Sequence, residues 1–243
     1  MKVLIVSDVH ANLIALEAVV ADAPSCDALW NIGDTIGYGP RPRECLDFMV
    51  DHPATAALVG NHDLACIGDV DLSEFNSVAQ IASKWTALQL ELDHRVYLKN
   101  LPSMTQTDGY TLAHASPRAP VWEYITTAAI ATENFAAFET DVCFIGHTHI
   151  AMFATLKDGD EVADIAPFLP DQTLDLLSAR FIVNPGSVGQ PRDRDPRAAY
   201  AILDTDRGTV TGHRVEYDVA KTQRQMALAN LPEVLIARLA YGM

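Results

Sequence analysis

A chain of 243 residues, about half of them apolar, can bury a substantial core and is not composed like a disordered segment. Its 32 acidic against 17 basic residues give a net charge of −15, which argues against nucleic-acid backbones and anionic membranes as partners. No apolar run approaches the roughly 20 residues of a membrane helix, Glu17 breaking the stretch from Leu13 to Ala21, and the N-terminal apolar run is too short for a secretory signal, so a cytoplasmic protein is expected.

In chain order, Val3 to Val6 reads as a buried strand delivering Ser7-Asp8 to a loop. Asn12 can cap a helix with Leu13, Leu16, Val19 and Val20 on one face. A second strand, Ala28 to Ile32, ends at Gly33-Asp34; a Gly/Pro-rich loop, Gly37 to Pro42, leads to a helix through Cys45, Leu46 and Met49. A third strand near Thr55 to Val59 ends at Gly60-Asn61-His62-Asp63. Leu72 to Leu92 lacks Gly and Pro and reads as helical; Leu112-Ala113 leads into His114. A helix around Ala128 to Phe138 precedes the strand Val142 to Ile145, which ends at Gly146-His147-Thr148-His149.

Beyond that point the pattern changes to short strands, Met152 to Leu156 and Phe181 to Val183, and to a hairpin of Tyr200 to Leu203 with Val210 to Tyr217 around Asp206-Arg207-Gly208. Val219 to Leu239 reads as helix interrupted by Pro232. No linker or repeat stands out, so one α/β domain over residues 1–243 is expected. Cys26, Cys45, Cys66 and Cys143 form no C-x-x-C pair and read as reduced, mostly buried thiols.

Each of five probable strands ends in side chains able to bind metal: Asp8-x-His10, Gly33-Asp34, Gly60-Asn61-His62-Asp63, His114 and His147-x-His149. In open α/β sheets the carboxyl ends of strands converge on one crevice. Asp-x-His or Gly-Asp alone is ordinary loop chemistry; the ordered set is not. Glycines before Asp34, Asn61 and His147 would let the backbone turn sharply and close in. His52, His94 and His213 fall outside the set and read as ordinary residues.

The ordered set D-x-H, G-D, G-N-H-D, H and G-H-x-H, from Asp8 to His149, resembles the calcineurin-like metallophosphoesterase superfamily. Asn184-Pro185-Gly186-Ser187-Val188-Gly189 resembles its small bacterial and archaeal branch, which includes phosphodiesterases. The resemblance implies a four-layer α/β/β/α sandwich with a dimetal site at the strand C-terminal ends. It implies that Asp8, His10 and His149 hold one metal, that Asn61, His114 and His147 hold the other, and that Asp34 bridges them. His62 would stay off the metals near the leaving group, with Asp63 orienting its ring.

Two divalent ions held this way would clamp an in-line displacement, a metal-bridging hydroxide attacking phosphorus, and His62 would assist the leaving alkoxide. Nitrogen and oxygen ligands without thiolate fit Mn, Fe, Zn or Ni better than Mg or Ca. The expected partner is a small phosphate ester, with no nucleic acid and no membrane.

The pattern departs from the protein Ser/Thr phosphatase branch, G-D-x-x-D-R-G, because Tyr38 stands where that branch has Arg. This favours phosphodiesterase over a phosphomonoesterase, a protein phosphatase or a nucleotide-polyphosphate hydrolase. Arg41, Arg43, Arg192 and Arg194 are the other guanidiniums that could grip a phosphate. Tyr38, Trp122 and Tyr124 could stack on a substrate ring, though packing is the expected role. A non-enzymatic scaffold is disfavoured because every expected ligand and His62 are present.

Overall fold

The computed structural model describes residues 1–52 and 54–243. Strand β1 (Lys2–Val6) is buried at every position after Lys2. Its two faces are covered by different layers: Val3 and Ile5 share a core with Trp30, Phe144, Phe181 and Leu203, while Leu4 and Val6 pack with Leu16, Val19 and Met49. Successive strand side chains point to opposite faces, so an unbroken apolar run is the mark of a strand buried on both.

β2 (Ala28–Asn31) and β3 (Ala56–Ala57) run parallel to β1. With β9 (Thr173–Asp175), β11 (Ala198–Asp204) and β12 (Thr209–Val215) they form one six-stranded sheet in the order β3-β2-β1-β11-β12-β9. The other contains β4 (Met104–Thr107), β5 (Tyr110–Ala113), β6 (Val142–Phe144), β7 (Met152–Leu156), β8 (Asp164–Pro167) and β10 (Arg180–Asn184), in the order β4-β5-β6-β10-β7-β8.

Helices α1 (Leu13–Asp22) and α2 (Pro42–Asp51) supply Leu16, Val19, Cys45 and Met49 to the outer face of the first sheet. Phe135 of α6 (Ala128–Phe135) packs with Cys143, Ile145 and Ile182 on the outer face of the second. The layers are therefore helix, sheet, sheet, helix, as the family resemblance implies. Because β1, β2 and β3 are mutually parallel, as are β5, β6 and β10, the carboxyl ends within each set open on one edge.

Several elements differ from the sequence reading. The third strand shrinks to two residues, and Asn61, His62 and Asp63 open the helix α3 (Asn61–Ile67) rather than a loop. The expected helix over Leu72 to Leu92 is a 3-10 turn, Leu72–Glu74, followed by α4 (Ser77–Gln89). Asn76 caps α4 by accepting from the Ala79 amide, a start signal inside an apolar pattern. A further helix, α5 (Leu92–Lys99), starts at Glu91. Strands β4, β8 and β9 had no clear apolar alternation to announce them; β8 is exposed at three of its four positions.

Pro232 ends the interruption between α7 (Val219–Leu228) and α8 (Glu233–Arg238). Leu235 and Leu239 are buried, but against Tyr38, Phe75 and Ala79 rather than the sheet, so the C-terminal segment closes over the loops that carry the candidate site. All four cysteines are free thiols, three of them buried. Among the described residues no helix is long and apolar enough to cross a membrane.

Candidate metal centre

The structure gathers all seven expected ligands at the strand ends. Ligand atoms of Asp8, His10, Asp34 and His149 lie within 4.8 Å of one another, and so do those of Asp34, His114 and His147. Asp34 belongs to both groups, its Oδ2 standing 3.6 Å from His10 Nε2 and 3.4 Å from His114 Nε2. Asn61 joins the second group, with Oδ1 3.2 Å from His114 Nε2. All seven are buried.

Backbone carbonyls fix the imidazole tautomers. His10 Nδ1 donates to Ile36 O at 3.2 Å, His149 Nδ1 to Gln190 O at 2.7 Å and His114 Nδ1 to Ile32 O at 2.9 Å. A carbonyl can only accept, so each Nδ1 carries a proton; the rings of His10 and His149, kept neutral by burial, turn an Nε2 lone pair inward, while His114 Nε2 faces Asn61 Oδ1 and Asp34 Oδ2. His10 Nε2 and His149 Nε2 then face each other at 3.0 Å, lone pair against lone pair. Asp34 Oδ2 and His147 Nε2 are buried without a hydrogen-bond partner among the described residues. Converging acceptors with no donor between them are what a cation site looks like, and the residues fit two divalent ions.

Burial weighs on every charge here. Burial pushes Asp8 up to about 7 against the pull of His114. Burial would raise Asp34 too, but His114 and His62 hold it well below the usual carboxylate range. Although burial opposes charge on His114, the Asp34 carboxylate pushes it up to about 9. An imidazolium there supplies the positive charge that a metal would otherwise bring. Burial takes His147 down to about 3 and His62 down to about 4.

The backbone is strained at the same place. Asp8, His10, Asp34, His147 and His149 all have positive φ, between 47° and 65°, a region costing a non-glycine residue roughly 1–2 kcal/mol. The fold sustains this because the turns are hydrogen-bonded from outside. Asp8 N donates to Gly33 O, His10 N to Asp34 O, and Gly189 N to Asp8 O, each at 3.0 Å.

Of the three flanking glycines, Gly33 alone has positive φ, 98°; Gly60 and Gly146 serve close approach instead. A Cβ on Gly60 would fall on the Asp34 carboxylate and 2.6 Å from the Asp34 amide nitrogen. Gly60→Ala is therefore expected to cost about 3 kcal/mol, the upper range for overpacking. A melting temperature lowered by about 5–10 °C, with weakened metal binding by titration, is the expected result; an unchanged melting curve would show that the two strand ends are not in contact.

Asp63 does not orient the His62 ring. Its carboxylate accepts from the amides of Thr35, Ile36 and Gly60, at 3.2, 2.9 and 3.0 Å. His62 Nδ1 is buried without a partner among the described residues. The reason is local: Asp63 is the third residue of α3, where a carboxylate reaches back to the amide preceding the helix. Asp63 thus ties the Asp34 loop to α3, while His62 is held by packing, 4.2 Å from the Tyr38 ring and 5.1 Å from Phe75 by centroid.

Sequence reasoning singled out Asn184 to Gly189 only as a resemblance and missed the support that the end of β10 and the following turn give the centre. Ser187 Oγ donates to Asp8 O at 2.8 Å, and Asn184 Nδ2 to Gly146 O at 2.6 Å. Gln190 orients His149 through its main-chain carbonyl, which no residue pattern reveals. Tyr38 is 6% exposed and packs as expected, whereas Tyr124 is half exposed and stacks on His147 at 4.0 Å. His94 is buried and bonds Asp47, and His213 stacks on Tyr200, both away from the centre.

Residues 1–208 match the calcineurin-like phosphoesterase superfamily domain. The chain belongs to that superfamily. A metallophosphoesterase from Sphaerobacter thermophilus shares 50% identity and superposes with a TM-score of 0.91, covering 100% of this chain and 99% of that one. An uncharacterized protein of Methanocaldococcus jannaschii is 32% identical over 98% of this chain and 97% of its own length. A symmetrical bis(5'-nucleosyl)-tetraphosphatase of Actinobacillus pleuropneumoniae is 29% identical over 58% of this chain; the match spans 54% of that relative's length. This calcineurin-like chain is accordingly a phosphoester hydrolase of a dimetal-dependent family.

Proposed function

We propose that the chain is a phosphodiesterase whose seven buried ligands hold two divalent cations. The observation that carries this is the pair of ligand groups sharing Asp34, in which imidazole lone pairs face each other at 3.0 Å. Asp8, His10 and His149 take one ion, Asn61, His114 and His147 the other, and Asp34 spans both. Manganese suits this nitrogen and oxygen donor set, as would iron, zinc or nickel. When bound, the ions would activate water and draw charge from the phosphoryl oxygens.

The chain's own residues do the rest. The carbonyls of Ile36, Ile32 and Gln190 hold the imidazoles in one tautomer. Asp34 Oδ1 accepts the His62 amide at 2.9 Å and so ties the leaving-group side to the bridge. His62, 5% exposed and 5.1 Å by centroid from His10, offers a ring nitrogen toward the departing oxygen.

A diester carries two organic substituents and needs room for the second. A groove of about 500 Å³ is lined by Thr148 and Ile150, the sequence neighbours of His149, and by Ile125, Met152 and Phe168; no candidate ligand lines it, so it offers room beside the centre rather than at it. Tyr124 and Trp122, 48% and 39% exposed, add ring surface nearby. Tyr38 stands where an arginine would favour monoesters, buried against His10 and His62. We further take residues 1–243 as a single catalytic domain acting in the cytoplasm on a small phosphate ester.

Protein stripped of metal and resupplied with Mn²⁺, Ni²⁺, Zn²⁺ or Mg²⁺ tests the reading. Bis-p-nitrophenyl phosphate should be hydrolysed faster than p-nitrophenyl phosphate, and a hundredfold excess of the preferred ion over its dissociation constant should stabilise the fold by about 2.7 kcal/mol. A faster monoester reaction would overturn the diester preference. A metal-stripped protein that neither melts higher nor turns over with any ion would overturn the metal assignment.

A further inference from the structure

The phosphate grip that Tyr38 cannot supply has to come from elsewhere, and the structure separates the four candidates. Arg41 is paired with Glu44 at 2.7 Å, and Arg43 is engaged with the Gln89 carbonyl and Glu91. Arg194 is exposed. Arg192 differs from all three. Its backbone amide donates to His149 O at 3.1 Å, so its position is fixed by a candidate ligand. Its Cζ lies 5.8 Å from the centroid of the Tyr38 ring.

Nη2 of Arg192 donates to Gln190 Oε1 at 2.9 Å, while its Nε is buried without a partner among the described residues. A second guanidinium reaches the same oxygen: Arg238 Nη1 donates to Gln190 Oε1 at 3.3 Å. Among the described residues neither arginine pairs with an Asp or Glu side chain, in a chain where acidic residues outnumber basic ones 32 to 17, although Arg238 Nε also donates to the Met243 oxygen. Two cations sharing one neutral acceptor repel each other, and desolvation together with Arg192 lowers Arg238. Arg192 itself has only neutral acceptors around it, and an anion would offset the repulsion.

We infer that Arg192, backed by Arg238, binds the phosphoryl oxygens of the substrate beside the metal centre. The inference rests on the phosphoesterase reading above and says which side of the centre the phosphoryl group occupies, the His149 side. Its guanidinium bonds the Gln190 side chain and reaches the phenols of Tyr38 and Tyr124, all neutral acceptors, so a phosphoryl group would be its first anionic partner.

The test uses metal-loaded full-length protein, with KM for bis-p-nitrophenyl phosphate and the competitive inhibition constant of inorganic phosphate as readouts. Arg192→Ala should raise both about 10- to 100-fold, with two metal equivalents still bound. Arg192→Lys should recover part of the loss, keeping charge without the fork, and Arg238→Ala should raise both by a smaller factor. Arg194→Gln is the control and should change neither. Unchanged KM and inhibition constant in Arg192→Ala, with wild-type turnover intact, would overturn the clamp alone. A wild-type protein that binds metal but shows neither turnover nor phosphate inhibition would overturn the phosphoesterase reading and the clamp with it.

Discussion

Asp34→Asn is expected to lose bound metal and, with it, at least about a thousandfold in kcat/KM. The substitution is nearly isosteric and can still accept the His62 amide through its carbonyl oxygen, so the turn that presents it need not change. What it removes is the one negative charge common to both ligand groups. Charge stabilisation by bound ions amounts to several kcal/mol, and about 4 kcal/mol corresponds to three orders of magnitude in rate. The fall in metal content, read by elemental analysis after desalting, should come first, and activity should return in part at high metal concentration. Some loss of stability in the metal-free protein is expected as well, because the Asp34 carboxylate is what holds the charge on the buried His114. Two equivalents retained after desalting would exclude Asp34 as the bridge.

How far the sequence carried this picture depended on whether a residue's role lies in its own chemistry or in its neighbours. The strand ends were readable because an apolar run buried on both faces must stop where a polar residue appears, and at Asp8, Asp34, Asn61, His114 and His147 that residue is also metal-competent. The third strand was overestimated because Leu58 and Val59 are buried like strand residues while lying beyond the paired segment Ala56–Ala57.

Asp63 was misjudged for a different reason. Its place beside His62 in the sequence suggested contact between the side chains, but on a helix adjacent residues diverge by about 100°, and a carboxylate in the first turn finds backbone amides first. Arg192 could not be singled out from Arg41, Arg43 and Arg194, because what distinguishes it is its place against His149 and Tyr38, a tertiary contact no residue pattern reveals. Nor could the burial of Leu235 and Leu239 against Tyr38, a contact spanning nearly the whole chain.

His62→Ala should show the opposite signature to the bridge variant: both ions retained, kcat lowered by about 10²–10⁴-fold, and KM little changed. No ligand group includes His62, and its Nδ1 faces Gly37 rather than the cluster. Burial keeps the ring neutral when no metal is present, near pKa 4. A neutral ring has one N–H, and that hydrogen bond is what the alkoxide would lose. Removing the ring also empties space between Tyr38 and Phe75, so some fall in stability is expected whatever the catalytic role. His62→Gln separates the two effects by filling most of that space with a group that donates a hydrogen bond but titrates nowhere near neutrality. If His62 acts by donating to the leaving oxygen, the glutamine should recover much of the rate lost with nitrophenolate, which leaves unprotonated. With an alkyl ester, whose alkoxide must take up a proton, it should recover little. Equal losses with both substrates would reduce His62 to a packing residue and leave the departing oxygen to the metals.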